Sequence, residues 1–190
     1  MYLKNSFRAA LMAAGLSFGI AIAAAPSFAE MTVMVGGAPM YPSKNIVENA
    51  VNSKDHTTLV AAVKAAGLVD TLEGAGPFTV FAPTNEAFNK LPAGTVNELI
   101  KPENKAVLTK VLTYHVVAGK WSEADLMKQI KAGHGTAELT TVEGGKLWAM
   151  SHGKEIMLKD EKGGTATVTI ADVFQSNGVI HVIDSVLMPN

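Results

Sequence analysis

The sequence predicts an α+β domain, with several helices packed against an antiparallel β-sandwich or wedge. Three observations carry that expectation. From about Ile46 to Gln129 apolar residues recur at three- and four-residue steps behind capping residues. From Leu139 onward the chain holds short strand-like segments separated by glycine-containing turns. The last of these, Val179 to Met188, is apolar on both alternating faces. Val179, His181 and Ile183 share one face, and Ile180, Val182 and Asp184 share the other. A strand of that kind belongs in the middle of a packed core rather than at a solvated edge.

Taken in order, the chain opens with Lys4 and Arg8, an apolar run from Ala9 to Ala25 broken by Pro26, and the small-x-small site Ser27-Phe28-Ala29. These predict a cleaved secretory signal peptide over residues 1–29. Residues 30–42 contain Gly36-Gly37, Pro39 and Pro42 and read as a flexible lead-in. The domain is expected over residues 43–190. Asp55 or Thr57 caps a helix whose apolar face includes Leu59, Val60 and Val63. Gly67 followed by Leu68 has the order of a Schellman ending. Phe78 to Ala82 reads as a strand ended by Pro83. Thr84 or Asn85 then caps a helix that turns Phe88 and Leu91 inward, with Glu86 in its first turn.

Thr95 and Glu98 have capping-box spacing, and Pro102 stops that short helix. Asn104 caps the next, where Val107, Leu108, Val111, Leu112 and His115 fall on one face. Ser122 and Asp125 repeat the box before an amphipathic turn. Strands follow at Leu139 to Val142, Lys146 to Met150, Glu155 to Leu158, Thr165 to Ala171 and Val179 to Met188. Glu143-Gly144-Gly145, His152-Gly153, Lys162-Gly163-Gly164 and Asn177-Gly178 separate them, the spacing of an antiparallel meander.

Composition excludes several function classes. There is no cysteine, so neither a disulfide framework nor thiol chemistry is available. The 16 basic and 17 acidic side chains are not clustered, and Lys4 and Arg8 leave with the signal. A mildly acidic chain of that kind suits neither nucleic acid nor an anionic membrane surface. Catalysis finds little support. The only G-x-S-x-G, Gly15 to Gly19, lies inside the signal and lacks the strand–turn–helix context of a nucleophile elbow. No P-loop, H-x-x-x-H, H-E-x-x-H or dinucleotide fingerprint follows any predicted strand. The chain is expected to be non-enzymatic, without a cofactor.

Two histidines invite a metal. His115 and His181 with Asp172 or Asp184 offer imidazole and carboxylate donors for zinc or copper. Single histidines far apart in sequence, with no local ligand pair, fit better as buried rings with both nitrogens hydrogen-bonded. The expectation is therefore no metal, with His56, His134 and His152 solvated. Tyr114 suits either an interface or a core edge with its hydroxyl bonded to backbone.

Three segments carry a family resemblance. Phe78 to Pro92, Thr113 to Trp121 with its Tyr114-His115 pair, and Gly178 to Pro189 resemble, in order, the homology boxes of the fasciclin-like domain. That resemblance implies an exported adhesion or protein-interaction module of the cell envelope or extracellular space. Its partner is expected to be a protein or a cell-surface or matrix component. The same resemblance assigns partner binding to Tyr114, His115, Val116 and Val117. No Asn-Pro-Asp-Ile-type acidic motif stands near them, which argues against integrin recognition. The alternative is an exported carrier of an apolar ligand such as a carotenoid or lipid, with Met127, Met150, Met157 and Met188 as an adaptable apolar surface. Stable membrane insertion after signal cleavage is not expected.

Overall fold

The computed structural model describes residues 32–190. The expected signal peptide, residues 1–29, lies outside the described residues. Seven strands form one mixed sheet, in the order β4 (Val116–Ala118), β3 (Phe78–Pro83), β9 (Gly178–Ile183), β8 (Thr165–Gln175), β7 (Glu155–Lys159), β6 (Lys146–His152), β5 (Thr136–Thr140). Strands β5 to β9 are the expected antiparallel meander. The departure from an all-antiparallel sheet is β3, which pairs parallel to β9 from Phe78↔Gly178 to Pro83↔Ile183. An isolated antiparallel bridge, Val117↔Thr141, joins the two terminal strands, so the sheet curls back on itself.

The two-faced strand is the centre of this arrangement. On one face Ile180 and Val182 join Val80, Ala82, Val116 and Val173 against the helices. On the other, Ile183 joins Phe81, Val117, Leu147, Leu158 and Val168 around α7 (Glu123–Ala132), which contributes Leu126 and Ile130. All six residues of β9 are buried. Each fully buried large aliphatic side chain contributes about 1.5–3 kcal/mol.

The first core is covered by α1 (Ile46–Ala50), α2 (Thr57–Ala66), α3 (Val69–Glu73), α4 (Asn85–Asn89), α5 (Thr95–Leu99) and α6 (Lys105–Tyr114). Helix α2 ends as expected. Gly67 sits at φ 70, a left-handed position where a side chain is strained, and the Leu68 amide bonds back to Val63. Thr84 caps α4 through Ala87 N, and Ser122 with Asp125 forms the full box on α7. Asn85 instead bonds Thr58 N at 3.0 Å and Lys54 O at 2.8 Å, so it stitches α4 to the start of α2.

Several expectations are corrected. Residues 33–40, placed in a flexible lead-in, form a hairpin of β1 (Val33–Val35) and β2 (Ala38–Met40), with Val35 and Met40 buried in the helix-side core. The Thr95–Glu98 box does not form. Gly94 takes the cap position at φ 86, which puts Thr95 inside the helix. Asn104 stands at the start of α6, but its side chain donates to Glu98 O rather than capping. Strand β5 begins earlier and ends earlier than expected, because Thr141 N turns onto Gly145 O and Val142 N crosses to Val116 O. Strand β8 runs on to Gln175 through irregularities between Val168 and Val173.

Candidate functional site

The Tyr114 to Val117 segment is where α6 hands over to β4. Tyr114 closes the helix, His115 is its C-cap, and Val116 begins the strand. Alternation along β4 sends Val116 into the helix-side core and Val117 into the other. None of the four side chains is more than 6% exposed. The structure thus brings the expected partner-binding residues together, and it places their side chains in the interior.

Their polar atoms bind the chain's own backbone. The Tyr114 hydroxyl donates to Lys146 O at 2.5 Å and accepts from Glu161 N at 3.1 Å. Burial pushes this phenol up to about 12, with the Glu161, Asp160 and Glu143 carboxylates adding to it and the Glu161 N–H opposing it. His115 Nδ1 lies 2.8 Å from Val111 O and donates to it, because Nε2 accepts from Leu187 N at 3.0 Å. Burial depresses this imidazole to about 4, so it is neutral at pH 7.

Asp160 completes the arrangement, accepting from Gly164 N at 2.6 Å and Met188 N at 2.9 Å. Glu161 accepts from Lys146 N and Asn190 N, and Lys110 donates to Asn190 O at 2.6 Å. The Tyr-His pair and these neighbours therefore clamp the C-terminal segment against the sheet.

His181 makes a second clamp with the opposite tautomer. Its Nδ1 accepts from Asp172 N at 3.3 Å, so Nε2 carries the proton that it donates to Trp121 O at 2.8 Å. The ring stacks on Phe81 with centroids 5.7 Å apart. Asp172 sits at φ 56, and its carboxylate accepts from Glu123 N at the start of α7 at 2.7 Å. Burial lowers the His181 pKa as well, against the attraction of Asp172 and Glu123. His56, expected to be solvated, is 3% exposed. Its Nδ1 meets Ser53 Oγ at 2.9 Å, and its Nε2 lies toward Ala82 O without completing a hydrogen bond. His134 and His152 are exposed.

The metal donor set is not assembled. His115 and His181 both spend their two ring nitrogens on backbone groups, and Asp184 accepts from Thr167 N. Among the described residues no group of three or more His, Asp or Glu stands where it could hold a metal ion. The four methionines do not converge either. Met150 and Met157 oppose each other across β6 and β7, and Met127 packs on the α7-side core. An apolar cavity of about 80 Å³ lies between the helices and the sheet, lined by Leu59, Val63, Leu72 and Ile180 among others but by none of those methionines. Pockets for drug-sized ligands run to about 300–1,000 Å³.

Two groups of buried polar residues that tie the fold together escaped the sequence reading. Thr79, fully buried on β3, donates to Gly119 O at 2.7 Å and accepts from Trp121 N at 2.9 Å, which holds the loop after the Tyr-His pair. Asn177 accepts from Ile46 N and donates to Leu72 O and Gly74 O, tying the β8–β9 turn to α1 and α3. Nearby Asn49 holds Tyr41 O and Gln175 Oε1. The turn signal at Asn177 was visible, but its partners, 105 and 131 residues away, were not.

Just beyond the buried segment the chain becomes accessible. Ala118 and Lys120 are exposed, and Trp121 is half-buried with its indole N–H on Ala118 O at 3.1 Å. The Lys120 ammonium sits 4.9 Å above the Phe174 ring, itself exposed.

A family model for the Fasciclin domain matches residues 54–189. The chain is 47% identical over 161 residues to Protein sll1483 of Synechocystis sp., covering 84% of this chain and 82% of that protein. It is 35% identical over 208 residues to the Immunogenic protein MPB70 of Mycobacterium bovis, covering 100% and 99%. Its fold matches that of a FAS1 domain pair from the insect cell adhesion molecule Fasciclin I, with a TM-score of 0.68 and 19% identity. That match covers 78% of this chain and 52% of the insect chain, so the chain spans about half the length of the pair.

Proposed function

The chain belongs to the fasciclin-domain family, and from that premise we propose that it is an exported, non-catalytic adhesion or protein-interaction module. Tyr114, His115, Val116 and Val117 serve binding by position. They hold the handover from α6 to β4, so that the loop from Ala118 to Trp121 is presented in one geometry. The observation that carries this reading is the sharp change from four buried side chains to an exposed loop within a few residues, with Thr79 bonded to Gly119 and Trp121 of that loop. A fixed loop on a rigid scaffold is where binding residues concentrate. The ring nitrogens, carboxylates and hydroxyls that could do chemistry are engaged with backbone at the two clamps, which supports binding over catalysis.

Export is supported by the Ser27-Phe28-Ala29 site behind an apolar run. The test is affinity capture from the envelope fraction of the native host, using the exported chain and its Lys120→Glu variant. Recovery of the same surface protein by the wild type, and its loss with the variant, is the expected outcome. Equal recovery by both moves the site off this loop, and no specific partner at all sinks the module reading. Intact mass of the exported form tests processing, and a mass retaining residues 1–29 rules out the predicted cleavage.

A further inference from the structure

The β8–β9 turn carries the chain's single Asn-Gly pair, Asn177-Gly178. That dipeptide is the one most prone to lose its asparagine amide, because the glycine N–H that attacks the side chain has no Cβ in its way. Two independent packing demands put the pair here. A Cβ on Gly178 would collide with the carbonyl oxygen of Phe78, where the parallel β3–β9 ladder begins. Asn177 is buried and uses both ends of its amide. Oδ1 accepts from Ile46 N at 3.1 Å, and Nδ2 donates to Leu72 O at 2.7 Å and to Gly74 O at 2.9 Å. The fold therefore keeps a chemically labile pair at the start of its central strand.

The same contacts hold the reaction off. Deamidation forms a bond between Gly178 N and Asn177 Cγ. The amide proton of Gly178 passes to solvent base and Nδ2 leaves as ammonia, giving a succinimide. Water then opens that ring at either carbonyl, to aspartate or to isoaspartate. To reach the attacking geometry the side chain must swing over its own backbone toward Gly178. In the folded chain its amide is fixed to α1, to α3 and to the Gly74 carbonyl. Phe78 N holds the Asn177 carbonyl at 3.0 Å, and Gly178 pairs with Gln175 on one side and Phe78 on the other.

The products do not fit the native turn. Aspartate turns an oxygen, charged at neutral pH, toward Leu72 O and Gly74 O in place of a donor, and does so in a buried site. Isoaspartate adds a methylene to the main chain between Gln175 and Gly178, the residues that set the register of β9 against β8.

We propose that Asn177-Gly178 is a self-modification site closed by the fold. The pair deamidates while the turn is open, and the product does not close it again. Time spent unfolded becomes a permanent loss of the native state.

The test incubates the exported chain folded and in guanidinium chloride, beside a synthetic peptide of residues 174–180, in mildly alkaline buffer. Peptide mapping follows conversion at Asn177. The expected result is equal rates in the unfolded chain and the peptide. The folded chain should convert more slowly by about a hundredfold or more, since it reacts only through its opened fraction. Samples are then diluted from denaturant at intervals, and native protein is separated from misfolded. Converted Asn177 is expected in the misfolded fraction alone. Asn177→Asp, which starts as one product, should lose refolding without any incubation. Equal rates in folded and unfolded chain, no conversion in denaturant, or converted Asn177 shared evenly between native and misfolded fractions overturns the proposal. So does an Asn177→Asp chain that refolds with the wild-type urea midpoint.

Discussion

The C-terminal clamp is built on the residues just before β4 and the β4–β5 seam on β4 itself, and they treat their polar groups in opposite ways. At the clamp the Tyr114 hydroxyl, both His115 nitrogens and both Asp160 oxygens meet backbone partners in the interior. At the seam one bridge closes the sheet, and beyond it the backbone of Glu138 faces a cleft. The contrast teaches that a family signature need not be a contact surface. In this chain those residues are buried and hold the fold together.

Emptying the clamp should cost the most stability. Tyr114→Ala removes a fully buried aromatic ring, with an expected cost of about 3–5 kcal/mol in urea unfolding. Tyr114→Phe keeps the ring but strands Lys146 O and Glu161 N, at about 1–3 kcal/mol. Near-wild-type stability for both would return Tyr114 to the surface. His181→Ala follows at about 2–4 kcal/mol, because it opens a cavity beside Phe81 and unpairs Asp172 N and Trp121 O. Trp121 fluorescence should shift with it.

Acid tests both clamps without mutation. His115 titrates near 6.5 when unfolded and at about 4 when folded, so the unfolded chain binds the extra proton first. Its contribution is whole above pH 6.5 and is lost as pH falls through about 4, amounting to about 3 kcal/mol. His56 and His181 are lowered too and steepen the decline. The geometry explains the sign. A proton on His115 Nε2 would face the Leu187 N–H, and one on His181 Nδ1 would face the Asp172 N–H. Urea midpoints that stay flat from pH 7 to pH 4 would contradict this. The smallest effect is expected at the exposed side. Lys120→Ala and Glu138→Ala should each change stability by within about 0.5 kcal/mol.

Much of this was legible in local pattern. Apolar residues on both faces of Val179 to Ile183 announced a strand in the middle of a packed core, because period-two alternation survives without knowing the partners, and the structure divides that core in two. Ser122 and Asp125 announced a cap for the same reason. Thr95 and Glu98 show the same spacing and form no box, since Gly94 at φ 86 takes the cap position and moves the start by one residue. His56 was misread because its surroundings are not local: the ring lies against Ala82 of β3, and the hairpin packs on its own turn. The turn at Gly36 bonds Lys54 N and packs on Ser53 and Asp55, a contact no local rule shows. The parallel β3–β9 pair joins segments about a hundred residues apart, and the seam exists only once the strand order is known.

Residue-resolved amide exchange on the unliganded chain reads both regions at once. Strong protection is expected at Leu187, Met188, Asp172 and Glu161, whose N–H groups are held by the clamps, and fast exchange at Glu138, whose N–H points away from β6 beside the cleft. Fast exchange at the clamp amides together with protection at Glu138 would contradict that expectation.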